Sequence, residues 1–161
     1  MKILYDPQIF TRQVYGGISR YFYELISYLH NSEISVNLPL VHSNNYYLKS
    51  SPFYKNIPLL NGQKRVIKIL NGFRAAISMR MQNYDIFHPT YYNPYFLNHI
   101  GNKPFVLTIY DMIHEIFPEK YPAMDRTSEY KKILAQKARK IIALSENTKQ
   151  DIIKYLNIDE N

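Results

Sequence analysis

The chain has no cysteine, which excludes disulfides and thiolate metal sites and matches a reducing compartment. No stretch approaches the ~20 apolar residues of a membrane-spanning helix. The amino terminus, MKILYDPQIF, carries a single Lys and an apolar run broken at once by Asp6 and Pro7, too short for a secretory signal. A cytoplasmic location is therefore expected. Neither GxGxxG nor GxxxxGK[ST] occurs, so the phosphate-cradling loops of NAD and ATP sites are missing and no such cofactor is expected. Carboxylates are scarce relative to cations: 13 Asp and Glu face 20 Lys and Arg, a net charge of +7. Such an excess attracts nucleic acid, anionic lipid or a phosphorylated small molecule. Although there are 16 tyrosines, the aromatic-basic repeat of single-stranded nucleic-acid binders is absent, so nucleic acid is not an expected partner. The basic clusters at Lys131, Lys132, Lys137, Arg139 and Lys140, and at Lys64, Arg65, Lys68 and Arg74, read mostly as solvated helix faces.

What is present is enough for one α/β domain: 161 residues, 46% of them hydrophobic. Residues 2–5 read as a first strand, followed by a loop of about ten residues that ends at Gly16-Gly17. Ile18, Tyr21, Phe22, Leu25, Ile26 and Leu29 then recur at helical spacing. A helix starting directly after a glycine pair offers free backbone N–H groups, a positive dipole end and no Cβ to keep a phosphate away. The same pair also serves as a plain tight turn; Ser19 and Arg20 would add a hydroxyl and a charge to an anion site.

Residues 34–40 alternate as an edge strand, with Pro39 supporting the edge position. Residues 42–58 read as a long mobile loop. Residues 63–83 read as a packed helix with Val66, Ile67, Leu70, Phe73, Ile77 and Met81 inward. YDIFH, residues 84–88, is a strand that delivers His88 to a proline-stiffened loop, Tyr91-Tyr92-Asn93. A histidine there serves either as a structural group or as a site residue. The most informative stretch is KPFVLTIYDMIHEIFPE, residues 103–119. Its apolar part suits a strand buried on both faces of a parallel sheet, and Tyr110, Asp111, His114 and Glu115 follow at its carboxyl end, where open α/β sheets bind ligands. A helix over residues 123–138 is expected to turn Tyr130, Ile133, Leu134 and Ala138 inward. Residues 140–144 form a strand, and Ser145 caps a last helix, residues 146–156. This alternation argues for a mainly parallel sheet covered on both faces.

GGISRYFYEL, YDIFHPTYYNP, PFVLTIYDMIHEIFPE and KARKIIALSENTKQDIIKYL together resemble, in order and approximate spacing, the amino-terminal half of a GT-B glycosyltransferase of the large retaining family four. The third stretch is similar to the T-[VI]-[HY]-D-M-x-x-E segment of bacterial surface-polysaccharide transferases. The resemblance implies a Rossmann-like three-layer sandwich, one half of a GT-B fold, that holds the acceptor. It implies transfer of a hexose, mannose among the candidates, from a nucleotide-sugar to a glycan or lipid-linked acceptor with retention, in lipopolysaccharide or capsule synthesis, and with no metal or other cofactor. It places Gly16 and Gly17 at the donor diphosphate and Asp111 near the reacting sugar. His88, Tyr91, Tyr92, Asn93 and Arg20 would face the acceptor, and Tyr110, Glu115 and Ser145 would line the cleft. Where many relatives carry His before the aspartate this chain has Tyr110, so the resemblance does not carry over the usual histidine role, for which His114 is one candidate. Relatives continue into a second, nucleotide-sugar-binding domain, whereas this sequence stops at Asn161. Residues 1–161 are thus expected to be a single domain, inactive alone, with peripheral contact to an anionic membrane. The alternatives are a non-catalytic binding module for a phosphorylated or glycosylated ligand, or one half of a split enzyme.

Overall fold

A computed structural model describes residues 1–57 and 64–158. The first strand, β1 (Lys2–Tyr5), leads into a short helix, α1 (Gln8–Arg12), and then into α2 (Gly17–His30). The expected loop before the glycine pair therefore contains a turn of helix, which buries Ile9 and Phe10. β2 (Ser35–Asn37) is shorter than expected but lies at the edge, parallel to β1. After it come α3 (Lys64–Arg80), β3 (Ile86–His88), β4 (Val106–Ile109), the short α4 (Ile113–Ile116), α5 (Thr127–Lys137), β5 (Lys140–Ala143) and α6 (Glu146–Leu156).

β1 pairs in parallel with β2 and β3, and β4 with β5. A parallel bridge at Phe87 and Phe105, with Phe87 N–H donating to the Pro104 carbonyl at 3.0 Å, joins the two sets. The spatial order is therefore β2-β1-β3-β4-β5. The order reverses between β1 and β3, which opens the switch-point crevice at their carboxyl ends.

The alternation of β1 sorts the core into two layers. Leu4 enters a cluster with Ala75, Met79, Phe87, Leu107 and Leu134, whereas Ile3 and Tyr5 enter another with Phe10, Phe22, Ile26 and Leu48. Both sheet faces are covered, as the strand-helix alternation predicts. The β3 to β4 crossover departs from it, using only a 3-10 helix, Pro94–Asn98, to pack Phe96 against Phe87 and Phe105.

Three expectations are corrected. The inward face of α3 is Asn71, Ala75 and Met79, while Val66, Leu70, Phe73, Ile77 and Met81 are exposed. The Asn71 amide explains this: its Oδ1 accepts from the N–H groups of Val41 and His42, and its Nδ2 donates to the His42 carbonyl, so a polar residue anchors the buried side. Gln63, where that helix was expected to begin, and Pro58, where the long loop was expected to end, lie outside the described residues.

The segment from His42 onward is tied down rather than loose. Ser43 Oγ donates to the Phe10 carbonyl, Asn45 Nδ2 to the Gln13 carbonyl and Tyr46 N–H to the Val14 carbonyl, while a 3-10 helix, Tyr47–Ser50, buries Leu48. Finally, α5 begins at Thr127 and buries Lys131, Leu134 and Ala135; Tyr130 and Ile133 are only half-buried, and Lys131 is no solvated residue.

Candidate functional site

The carboxyl ends of β1, β3, β4 and β5 form one rim, and the buried polar side chains there tie the strands together. Asp6, directly after β1, is fully buried. Its carboxylate accepts from Thr90 N–H at 2.9 Å, Thr90 Oγ at 2.7 Å and Gln8 Nε2 at 2.7 Å. Burial pushes its pKa up despite these donors. Gln8 completes the link by clamping Asn93 from both sides, donating to its carbonyl at 3.0 Å and accepting its N–H at 2.9 Å. The β1 and β3 ends are thereby fixed across the switch point.

At the end of β4, Tyr110 wedges between the two core layers. Its N–H donates to Tyr92 Oη at 3.2 Å, its hydroxyl reaches the Thr90 carbonyl at 3.4 Å, and Thr148 Oγ of α6 reaches its carbonyl at 3.4 Å. Burial holds the Tyr110 and Tyr92 hydroxyls protonated, well above the usual tyrosine range. Tyr21, one turn into α2, meets the Tyr110 ring at 6.1 Å, which places the start of α2 beside the β4 end.

Asp111 follows, with its side chain 46% exposed and Oδ1 accepting from Ile113 N–H at 3.2 Å. Beneath it lies Lys131, whose ammonium is fully buried. It donates to the Asp111 carbonyl at 2.9 Å and to Glu115 Oε2 at 3.0 Å, stands 3.7 Å from Asp111 Oδ1, and lies 5.3 Å from the centre of the Tyr92 ring. Glu115 is thus a buried counter-charge, with Oε1 left without a protein partner. His114 stacks on Tyr121 at 3.8 Å, and its Nε2 is 3.9 Å from Asp125 Oδ2. Hydrogen bonds from Thr127, with smaller help from His114 and Arg12, hold the Asp125 carboxyl below its usual range.

The remaining predicted residues divide by exposure. Asn93 is exposed and caps the 3-10 helix, while Tyr91 is half-buried under the Arg12 guanidinium at 4.5 Å. Tyr92 is core. So is His88: Nε2 sits 2.9 Å from Thr108 Oγ, the ring packs between Tyr5 and Phe22, and burial lowers its pKa to about 4. At the start of α2, Gln13 Oε1 accepts from Ser19 N–H at 3.2 Å and covers Gly16, whose added Cβ would meet it at 2.5 Å. Gly17 faces open space, and the first amides of α2 have no intrahelical carbonyl. Arg20 points along the exposed surface toward Glu24, 3.8 Å away. Ser145 caps α6 through Thr148 N–H at 3.1 Å, at the β5 end of the rim.

Sequence reasoning missed Lys131, Asp6 and Arg12. For Lys131 a signal existed, because it shares the helical phase of Leu134, Ala135 and Ala138. Arg12 emerges only with α1, where it joins Tyr91, Asn93, Asp125, Arg126 and Tyr130 around a shallow hollow. Among the described residues no cluster of acidic and histidine side chains gathers as metal ligands, and no helix is long and apolar enough to cross a membrane.

Two sets of parallel strands joined at the Phe87–Phe105 bridge, with helices on both faces and a polar rim at the switch point, define a Rossmann-like α/β domain. The model of Glycosyltransferase Family 4 matches residues 15–161, and the chain belongs to that family. No curated protein matches it.

Proposed function

We propose that residues 1–161 form the acceptor-side half of a retaining hexosyltransferase that acts in surface-polysaccharide synthesis and uses a glycan or lipid-linked acceptor. The nucleotide-sugar is held mainly by a second domain, and residues 1–161 alone do not transfer sugar. The observation that carries this reading is the mounting of Asp111: an accessible carboxylate at the end of β4, its main chain fixed by a buried ammonium.

Departure of a nucleoside diphosphate builds negative charge on its terminal oxygens. The free amides at Gly17 and Ile18 are preorganised donors for that charge. The Asp111 carboxylate, close to the anomeric carbon, steadies oxocarbenium character or takes the acceptor's proton as the new glycosidic bond forms. Lys131 touches neither sugar and acts as a positioning residue. Asn93, Tyr91 and Arg12 present polar and aromatic surface to the acceptor.

The test is transfer by the full-length product of the coding frame, with nucleotide-sugars and a lipid-linked glycan, comparing wild type with Asp111→Asn. The expected loss is at least about 100-fold in kcat with folding unchanged. Wild-type turnover by Asp111→Asn would remove the residue from the chemistry, and transfer by the 161-residue chain alone would refute the half-site reading.

A further inference from the structure

α3 has two apolar faces, and only one of them is used. Ala75 and Met79 turn into the core layer that contains Leu4, with Asn71 buried beside them on the Val41 and His42 backbone. At about 100° per residue, Val66, Ile69, Leu70, Phe73, Ile77 and Met81 fall within roughly 120° of arc centred opposite that buried side. All are exposed, Ile69 by 70%, Phe73 by 65% and Met81 by 69%. The outer face of a helix packed on a sheet is ordinarily polar.

The charges of α3 are all of one sign. Its sequence, KRVIKILNGFRAAISMR, holds Lys64, Arg65, Lys68, Arg74 and Arg80 and no carboxylate. In helical projection Arg65 and Arg74 flank the apolar stripe and Arg80 lies within it, while Lys68 falls on the opposite side of the helix. An apolar stripe bordered by cations, with no acidic residue in the helix, is the pattern of a helix lying in the plane of a membrane interface. There the side chains enter the acyl boundary and the cations meet anionic headgroups.

We infer that the outer face of α3 is a membrane-docking surface selective for anionic lipid. The surface serves the proposed lipid-linked acceptor, yet vesicle binding needs neither donor nor acceptor. Its failure therefore leaves the transferase reading standing, and loss of transfer activity leaves the docking surface standing.

The chain contains no tryptophan, so a single introduced indole reports its own surroundings. Phe73→Trp is expected to shift its emission to the blue when vesicles of phosphatidylcholine with phosphatidylglycerol are added at low salt. Tyr28→Trp, 75% exposed on α2 over the opposite sheet face, is expected to stay unshifted. In co-sedimentation, Arg74→Gln with Arg80→Gln should weaken binding about fivefold per cation removed. Phe73→Ser with Ile77→Ser should weaken it at least about tenfold while the circular dichroism remains that of the wild type. The inference is overturned by absence of binding at low salt, by equal binding to pure phosphatidylcholine, or by equal shifts of both indoles. A blue shift that grows with protein concentration in the absence of vesicles also overturns it, because that would make the face a self-association surface.

Discussion

Removing the buried ammonium is the sharpest test of how the site is built. In Lys131→Met the aliphatic stem is replaced closely in volume, while three things change: Glu115 loses its counter-charge, the Asp111 carbonyl loses its donor, and Asp111 Oδ1 loses a cation 3.7 Å away. Glu115 is only 8% exposed and already has one oxygen without a protein partner, so water cannot readily substitute. Breaking a buried pair from one side costs about 3–5 kcal/mol, a large part of the ~5–15 kcal/mol that holds a domain together. At ~2–4 °C per kcal/mol for a domain of this size, Tm should fall by roughly 10 °C. Adding Glu115→Leu removes the stranded charge and should restore about 2–3 kcal/mol, leaving ~1–2 kcal/mol for the unpaired Asp111 carbonyl. Urea unfolding at neutral pH, followed by far-ultraviolet circular dichroism with the m-value checked, measures all four corners of the cycle. A cost below about 1 kcal/mol for Lys131→Met, or additivity of the two changes, would refute the argument that the ammonium anchors the rim.

His88 predicts a pH dependence of folding. Its folded pKa is about 4 because the ring is buried, whereas the unfolded chain protonates near 6.5. The unfolded state therefore binds the proton first as pH falls, and stability present in full above pH ~6.5 is lost progressively toward pH ~4, by roughly 3 kcal/mol. His88→Gln should flatten that limb of the stability profile, and an unchanged slope in unfolding measured across this window would show that His88 is not the group involved. Gly17→Ala separates fold from ligand. A Cβ there meets nothing within 4 Å, so thermal unfolding should show a gain of about 0.5 kcal/mol, while donor turnover by the full-length enzyme should fall about tenfold if the diphosphate rests on this backbone. Unaltered kinetics would detach the glycine from the phosphate.

Where one residue's periodicity or chemistry fixes its place, the sequence was legible. The phase of Phe22 and Ile26 set the buried side of α2, the run ending at Ile109 set β4, and Ser145 set the start of α6. α3 was misread because periodicity reveals an apolar face without saying which way it points. The inward face is marked instead by small residues and by an asparagine whose partners, Val41 and His42, are about thirty positions away in the chain. The same holds for the segment after His42. Ser43, Asn45 and Asn56 gave it the composition of a loose loop, yet their side chains form the hydrogen bonds that pin it. Polarity in a sequence signals solvent or a buried partner, and the partner is visible only in three dimensions.

That distinction also explains where this domain buries its polar groups. Asp6, Gln8, His88, Thr90, Thr108, Lys131 and Thr148 are all buried at or near the carboxyl ends of the strands, where apolar side chains of similar volume would hold the fold at no lower stability. Among the described residues the polar links at the amino ends are fewer and mostly exposed or half-buried: Lys2 N–H and Nζ bond Asp85 and Asn83 at the surface, and Lys103 Nζ donates to the Tyr84 carbonyl. Polar contacts, unlike apolar ones, have direction, so they fix rim residues to within tenths of an ångström rather than merely keeping them together. Thr90 links β1 to β3, Tyr110 links β3 to β4 and α6, and Lys131 links β4 to α5, so the network holds Asp111 and, through Gln8, Asn93 at fixed positions on one edge. A scaffold with only stability to satisfy has no need of that arrangement, whereas one that must meet a bound ligand at defined distances does.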